Sequence, residues 1–87
     1  MVYYVYLLKT IKGKAKKTYV GYTNNLRKRL EKHNKGRGAK STKGRMWKVL
    51  YTEKYLTKGE AISREYYIKK NRKFRNQIKE KFRWLKK

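Results

Sequence analysis

The chain has 87 residues, of which 28 are Lys or Arg and only 5 are acidic, giving a net charge of +23 at pH 7. That length supports one modest core, and so much positive charge opposes compactness unless a polyanion offsets it; nucleic acid is the leading partner and an anionic membrane surface the second. The absence of cysteine excludes disulfides, thiolate zinc sites and thiol nucleophiles; no apolar run is long enough to span a bilayer and nothing resembles a signal peptide, so a reducing cytoplasm is expected.

Residues 2–8 are β-branched and aromatic and read as a strand. Tyr4, Tyr6 and Leu8 share one face of it; Tyr3, Val5 and Leu7 share the other. Both faces are apolar, which predicts a central strand. Residues 11–17 carry Gly13 and several lysines and read as a hairpin turn. Residues 18–23 form the returning strand, where Gly21 signals a close backbone approach or a bulge. Asn24 or Asn25 caps a helix beginning near Leu26, with Leu26, Leu30 and Asn34 on one stripe and an end before Gly36. Residues 35–45, rich in glycine and cations, read as a basic loop. Residues 47–55 form a third strand. Thr57 and Glu60 have capping-box spacing and open a second helix. A break or bend is expected over residues 71–75. Phe74, Ile78, Phe82 and Leu85 then give a third helix one apolar stripe. Aromatic content of 15% and the clustering of apolar residues oppose the disorder that charge alone would suggest. The expected fold is a single α+β domain, with a three-stranded antiparallel sheet flanked by about three helices in the order β-β-α-β-α-α. Residues 72–87 form its basic C-terminal helix.

The acids narrow the chemistry because they are few: Glu31, Glu53, Glu60, Glu65 and Glu80. A two-metal nuclease needs several converging carboxylates, which this inventory hardly supplies. Glu60 serves the capping box, Glu31 has cations at i±4, Glu53 can pair with neighbouring cations, and Glu80 lies in a charge-rich helix. Glu65 shares a helix face with Ala61, Ile62, Ile68 and Lys69, so it points coreward and must be paired or bound to a metal. An ion pair with Lys69 or an arginine stands level with the metal reading. Arg29 and His33, four residues apart, share a helix face. Tyr6 and Tyr19 lie on strands expected to pair. Core packing with a hydrogen-bonded hydroxyl is the plainer account of both.

Taken in order, Tyr4-Val5-Tyr6, Tyr19-Val20-Gly21, Arg29, His33 and Glu65 resemble the motifs of the GIY-YIG nuclease superfamily. Tyr19 and Arg29 are ten residues apart and Arg29 and His33 four, as in the family pattern. Residues 59–70 resemble the family's helix bearing a metal glutamate, with Glu65 at that position. The loop of residues 36–45 and the short length resemble its small stand-alone YhbQ-like branch. The resemblance covers roughly residues 3–70. It implies phosphodiester hydrolysis in structured or damaged DNA, as in DNA repair, with one divalent cation, Mg²⁺ or Mn²⁺, held by Glu65. Arg29 would contact the scissile phosphate. Tyr6 or Tyr19 would take the proton of water, directly or through His33. Which tyrosine is the base stays open, and the surrounding cations are expected to lower its pKa. Lys40, Lys43, Arg45, Lys69 and Lys70 would track the nucleic-acid backbone. DNA ranks ahead of RNA as partner, no membrane is expected, and a protein partner is a candidate source of substrate choice. The alternatives are a catalytically weak or inactive DNA- or RNA-binding module of the same fold and, further off, an RNA-associated basic protein.

Overall fold

The computed structural model describes residues 1–11 and 17–85, with the side chains of 41 and 82–85 left out. Its elements run β1 (Tyr3–Thr10), β2 (Thr18–Thr23), α1 (Leu26–Asn34), a short 3₁₀ turn (Lys40–Thr42), β3 (Trp47–Tyr55), α2 (Lys58–Lys70) and α3 (Arg72–Leu85). The sheet is antiparallel in the order β2-β1-β3. The α+β class, the element order and the central place of β1 are those expected. The expected hairpin turn falls mostly on residues 12–16, outside the described residues; beside it the Thr10 amide donates to the Lys17 carbonyl at 3.1 Å.

β1 is central because both of its faces are apolar, so helices can cover each. Val5 and Leu7 join Val20, Ala61 and Ile68 in one core, with Phe74 and Ile78 of α3 packed on it. Tyr6 and Leu8 join Trp47 in a second core, covered by Leu26 and Leu30 of α1. Leu7 and Leu8 are fully buried, which stabilises the fold by roughly 2 kcal/mol each. The side chains of Phe82 and Leu85 fall outside the described residues.

β3 feeds both cores through a register shift. Leu7 opposes Tyr51 but Leu8 opposes Val49, so Leu50 is an extra residue in the ladder. A one-residue slip reverses the faces of all that follows. Trp47 and Val49 therefore face the α1 side, while Tyr51 and Tyr55 face α2 and α3. The sequence pattern of residues 47–55 carried no sign of this bulge.

The helix ends follow local chemistry. Asn25, not Asn24, caps α1, its Oδ1 accepting from the Lys28 amide at 3.2 Å. Gly36, at φ 76°, closes α1 in a Schellman arrangement: its amide donates to the His33 carbonyl and that of Arg37 to the Lys32 carbonyl. Thr57 caps α2 by accepting from the Glu60 amide at 3.2 Å; its hydroxyl donates to Glu60 Oε1 at 2.8 Å. The expected break falls at Asn71, whose Oδ1 accepts from the Phe74 amide at 3.0 Å and so starts α3. α2 buries a narrow stripe, Ala61 and Ile68, with Glu65 between them. Ile62, expected on that stripe, is 43% exposed.

Glu53 joins β3 to α2. Arg64 grips it bidentately at 2.8 and 3.0 Å, Tyr55 donates at 2.6 Å, and Tyr51 donates to its second oxygen. The Arg64 guanidinium also lies over the rings of Tyr67 and Phe74, at 4.7 and 5.0 Å. Burial pushes the Glu53 carboxyl up, but these hydrogen bonds outweigh it and hold it below the usual range. Among the five acids, this one is taken up in holding the fold together.

Candidate functional site

Tyr6 sits on the central strand, facing α1, with its ring between β2 and the helix. It is 1% exposed. Its phenol fits because Gly21, its register partner on β2, has no side chain. A Cβ there would lie 2.6 Å from Tyr6 Cζ and 3.1 Å from Tyr19 Cε2. The close approach anticipated at Gly21 is therefore to the Tyr6 ring; the bulge is on β3.

α1 supplies the polar partners. His33 Nε2 lies 2.9 Å from the Tyr6 hydroxyl, and Arg29 Nε donates to that hydroxyl at 3.4 Å. The four-residue spacing of Arg29 and His33 brings both to one phenol. Tyr19 completes the group, its ring centroid 4.9 Å from that of His33 and 6.4 Å from that of Tyr6. His33 is fully buried behind Tyr6. Its Nδ1 meets the Thr42 hydroxyl at 2.9 Å, and Gly38 crosses its ring so closely that a Cβ there would lie 2.9 Å from Cε1. Asn34 anchors the far end of the loop, its side chain bonded to the Trp47 backbone at 2.6 and 3.1 Å.

An open cleft of about 460 Å³ lies over this group. Tyr6, Tyr19, Gly21 and Arg29 line it on the α1 side of the sheet, and Glu65 reaches it from α2, which packs on the opposite face. The two sides meet because β2 is an edge strand. Glu65 is 20% exposed, and Lys69 approaches it at 3.5 Å. The structure thus brings Tyr6, Tyr19, Arg29 and Glu65 to one cleft, with His33 directly behind. It also realises the ion pair with Lys69 that stood level with the metal reading.

The electrostatics reverse one expectation. Burial pushes the Tyr6 phenol up to about 12, outweighing the hydrogen bond and charge of Arg29. Burial and the neighbouring Arg29 push His33 down to about 4. The surrounding cations do not make Tyr6 a standing phenolate: most lie on the surface, screened by water, whereas desolvation acts on the ring itself.

The predicted backbone-tracking cations are distributed differently. Lys40 and Lys43 are exposed and Arg45 half-buried, on the loop that covers His33. Lys69 pairs with Glu65, and the Lys70 ammonium lies 5.6 Å from the Tyr66 ring centroid. None of these five lines the cleft; Lys32 and Lys58 do. Sequence reasoning missed both, although Lys32 follows Arg29 at i+3 and so shares its face. It also missed Thr42 and Gly38, whose relation to His33 exists only once the loop folds back. Among the described residues no three His or acidic side chains cluster, and no helix is long and apolar enough to cross a membrane.

A small three-stranded α+β domain with paired tyrosines, an Arg–His helix and a lone cleft glutamate has the makings of a nuclease-type domain. Comparison with known proteins agrees: residues 2–79 match the GIY-YIG catalytic domain, and the chain belongs to that family. Its curated relatives include UPF0213 protein CPE1444 of Clostridium perfringens, 54% identical over 77% of this chain and 70% of that one. UPF0213 protein OB0043 of Oceanobacillus iheyensis is 45% identical over 83% and 81% of the two chains. The solution structure of UPF0213 protein BH0048 from Bacillus halodurans aligns with a TM-score of 0.51 at 36% identity, covering 90% of this chain and 82% of that one. The chain thus carries a nuclease-family domain, for which a nucleic-acid-related function follows.

Proposed function

We propose that the protein is a metal-dependent endonuclease acting on structured or damaged DNA, with Tyr6 the residue that takes the proton of the attacking water. The observation that carries this reading is the placement of the Tyr6 hydroxyl between His33 Nε2 and Arg29 Nε, beneath a cleft shared with Glu65. His33 is fully buried and its Nε2 faces the Tyr6 hydroxyl at 2.9 Å, which supports the route from water to Tyr6 to His33 over direct proton transfer from water to the imidazole.

The donor set suits a hard divalent cation such as Mg²⁺ or Mn²⁺ bound by the Glu65 carboxylate, with water and phosphate oxygens as its other ligands. A single protein carboxylate in an open polar cleft fits a loosely held ion, for which Lys69 must yield. Such a cation supplies positive charge to the leaving 3′ oxygen. Arg29 offers its remaining guanidinium N–H groups to the scissile phosphate, in the fork geometry that suits two oxygens. Its positive charge also depresses His33. A phosphate bound to Arg29 offsets that charge and makes His33 a better proton acceptor at the moment substrate arrives. Lys32 and Lys58 flank the phosphate path, and the loop cations Lys40, Lys43 and Arg45 extend it beyond the cleft.

One observation favours the second reading, a binding module that does not cut: Glu65 already has a partner in Lys69. Forked, flapped and nicked DNA, incubated with Mg²⁺ or Mn²⁺ or with chelator, separates the two. Metal-dependent cleavage is expected, lost in Glu65→Gln and Arg29→Ala, with DNA binding retained in Glu65→Gln. Cleavage undiminished in Glu65→Gln would overturn the site assignment, and tight binding without cutting on every substrate would establish the second reading.

A further inference from the structure

His33 has two ring nitrogens, and the direction of any proton transfer depends on which one carries hydrogen. The structure holds enough partners to decide it. The Thr42 hydroxyl lies 2.8 Å from the Ala39 carbonyl oxygen. A carbonyl only accepts, so the single Thr42 proton must lie on that line. The same hydroxyl oxygen lies 2.9 Å from His33 Nδ1. Having given its proton to Ala39, Thr42 can only accept from Nδ1, which is therefore N–H. Burial holds the ring neutral at pH 7, so Nε2 is bare. At 2.9 Å from Nε2, the Tyr6 hydroxyl must then donate to it.

We infer that Thr42 is a positioning residue: by accepting from Nδ1 it fixes His33 in the Nδ1–H tautomer and so turns the Tyr6 proton toward His33 and the Tyr6 lone pair toward the cleft. In this state the Tyr6 oxygen accepts from Arg29 and retains acceptor capacity on the cleft side, where a water can donate. The transfer balances: water loses a proton to the Tyr6 oxygen as the Tyr6 proton passes to His33 Nε2. This leaves a hydroxide equivalent to bond to phosphorus, a neutral phenol and an imidazolium whose Nδ1–H remains on Thr42. In the other tautomer Nε2–H would donate to Tyr6, the phenol proton would point into the cleft, and His33 would have no lone pair to receive it.

Three features hold Thr42 in this position. It is fully buried although its neighbours Lys40 and Lys43 are exposed. Its amide donates to the Ala39 carbonyl at 3.0 Å, and its carbonyl accepts from Trp47 Nε1 at 3.0 Å, so the residue is gripped on both sides. Gly38 admits the chain against the imidazole face, where any side chain would push the loop away. The loop expected to serve only as a run of cations therefore has a second role at the site.

The relay rests on the nuclease reading; the tautomer does not, and the experiment reads them separately. His33 is the only histidine in the chain, so the imidazole ¹⁵N spectrum of the full-length protein at neutral pH reports it alone. The wild type is expected to show protonated Nδ1 and bare Nε2. Thr42→Ser keeps that spectrum, and Thr42→Val moves it toward the Nε2–H form. In cleavage assays with Mg²⁺ and forked DNA, Thr42→Val is expected to lower kcat at least about tenfold, part of the roughly 10²–10⁴-fold that a positioned proton acceptor contributes, with DNA affinity unchanged and Thr42→Ser restoring the rate. A wild-type spectrum with Nε2 protonated overturns the inference, as does a Thr42→Val spectrum identical to wild type. Should Thr42→Val fail to fold, the wild-type spectrum still decides the tautomer. The expected spectra from a protein that cuts no substrate would sustain the tautomer and refute the nuclease reading instead.

Discussion

Lowering the pH from 7 to 5 is expected to destabilise this protein by about 2 kcal/mol, through His33 alone. The imidazole is fully buried and is pushed from 6.5 to about 4 by burial and by Arg29. The unfolded chain therefore takes up a proton below about pH 6.5, while the folded protein resists doing so until about pH 4. Stability falls as pH drops through that window, because the unfolded state binds more protons there. Integrating the difference between pH 7 and pH 5 gives about 2 kcal/mol, of the roughly 3 kcal/mol that the full shift represents. Glu53, which is held low, contributes stability that is lost only under more acidic conditions. Urea unfolding at the two pH values, followed by tryptophan fluorescence, measures the effect, with His33→Gln as the reference. The variant's absolute stability does not matter, since the comparison is of its own two pH values. A wild type equally stable at both, or a variant with the same pH dependence, would refute a neutral, buried His33.

Gly21→Ala is expected to destabilise the protein by about 2 kcal/mol, since its Cβ would overlap the Tyr6 ring. Gly59→Ala, which meets open space in the first turn of α2, should be neutral or stabilising by about 0.5 kcal/mol; thermal melts of the pair separate steric effects from helix propensity. Glu53→Gln leaves Arg64 without its anionic partner and is expected to cost about 2 kcal/mol, below the range for fully buried pairs because the Arg64 side chain is 31% exposed. An unchanged denaturation midpoint would show the pair to be idle. Replacing Lys40, Lys43 and Arg45 together by Gln should lower the salt dependence of duplex binding by up to about 3 in the log–log slope, about 0.9 for each phosphate no longer neutralised. An unchanged slope would place the DNA elsewhere.

Much of this architecture was legible in the chain because short-range patterns encode it. The two apolar faces of residues 2–8 require a covered, central strand. Hydroxyl and amide caps at Asn25 and Thr57 mark where helices begin, and Gly36 marks where one ends. The four-residue spacing of Arg29 and His33 put both on one face, and the scarcity of acids directed attention to Glu65. What escaped the sequence depends on where segments distant along the chain meet. The bulge at Leu50 has no residue signature, because it answers to the spacing of two cores rather than to local preference. Thr42 and Gly38 looked like members of a basic loop, since their partner His33 lies across a turn of the chain.

The sequence by itself determined that this is a basic chain with the motifs of the GIY-YIG family, whose candidate site residues fall on β1, β2, α1 and α2. Only the tertiary structure decided how those residues stand to one another. It buried Tyr6 and His33, so desolvation rather than the surplus of positive charge sets their protonation. It brought Glu65 around the edge of β2 into the cleft and gave it Lys69 as a competitor for any metal. Charge can be counted along a chain, but whether water screens it depends on burial, and burial is a property of the assembled fold.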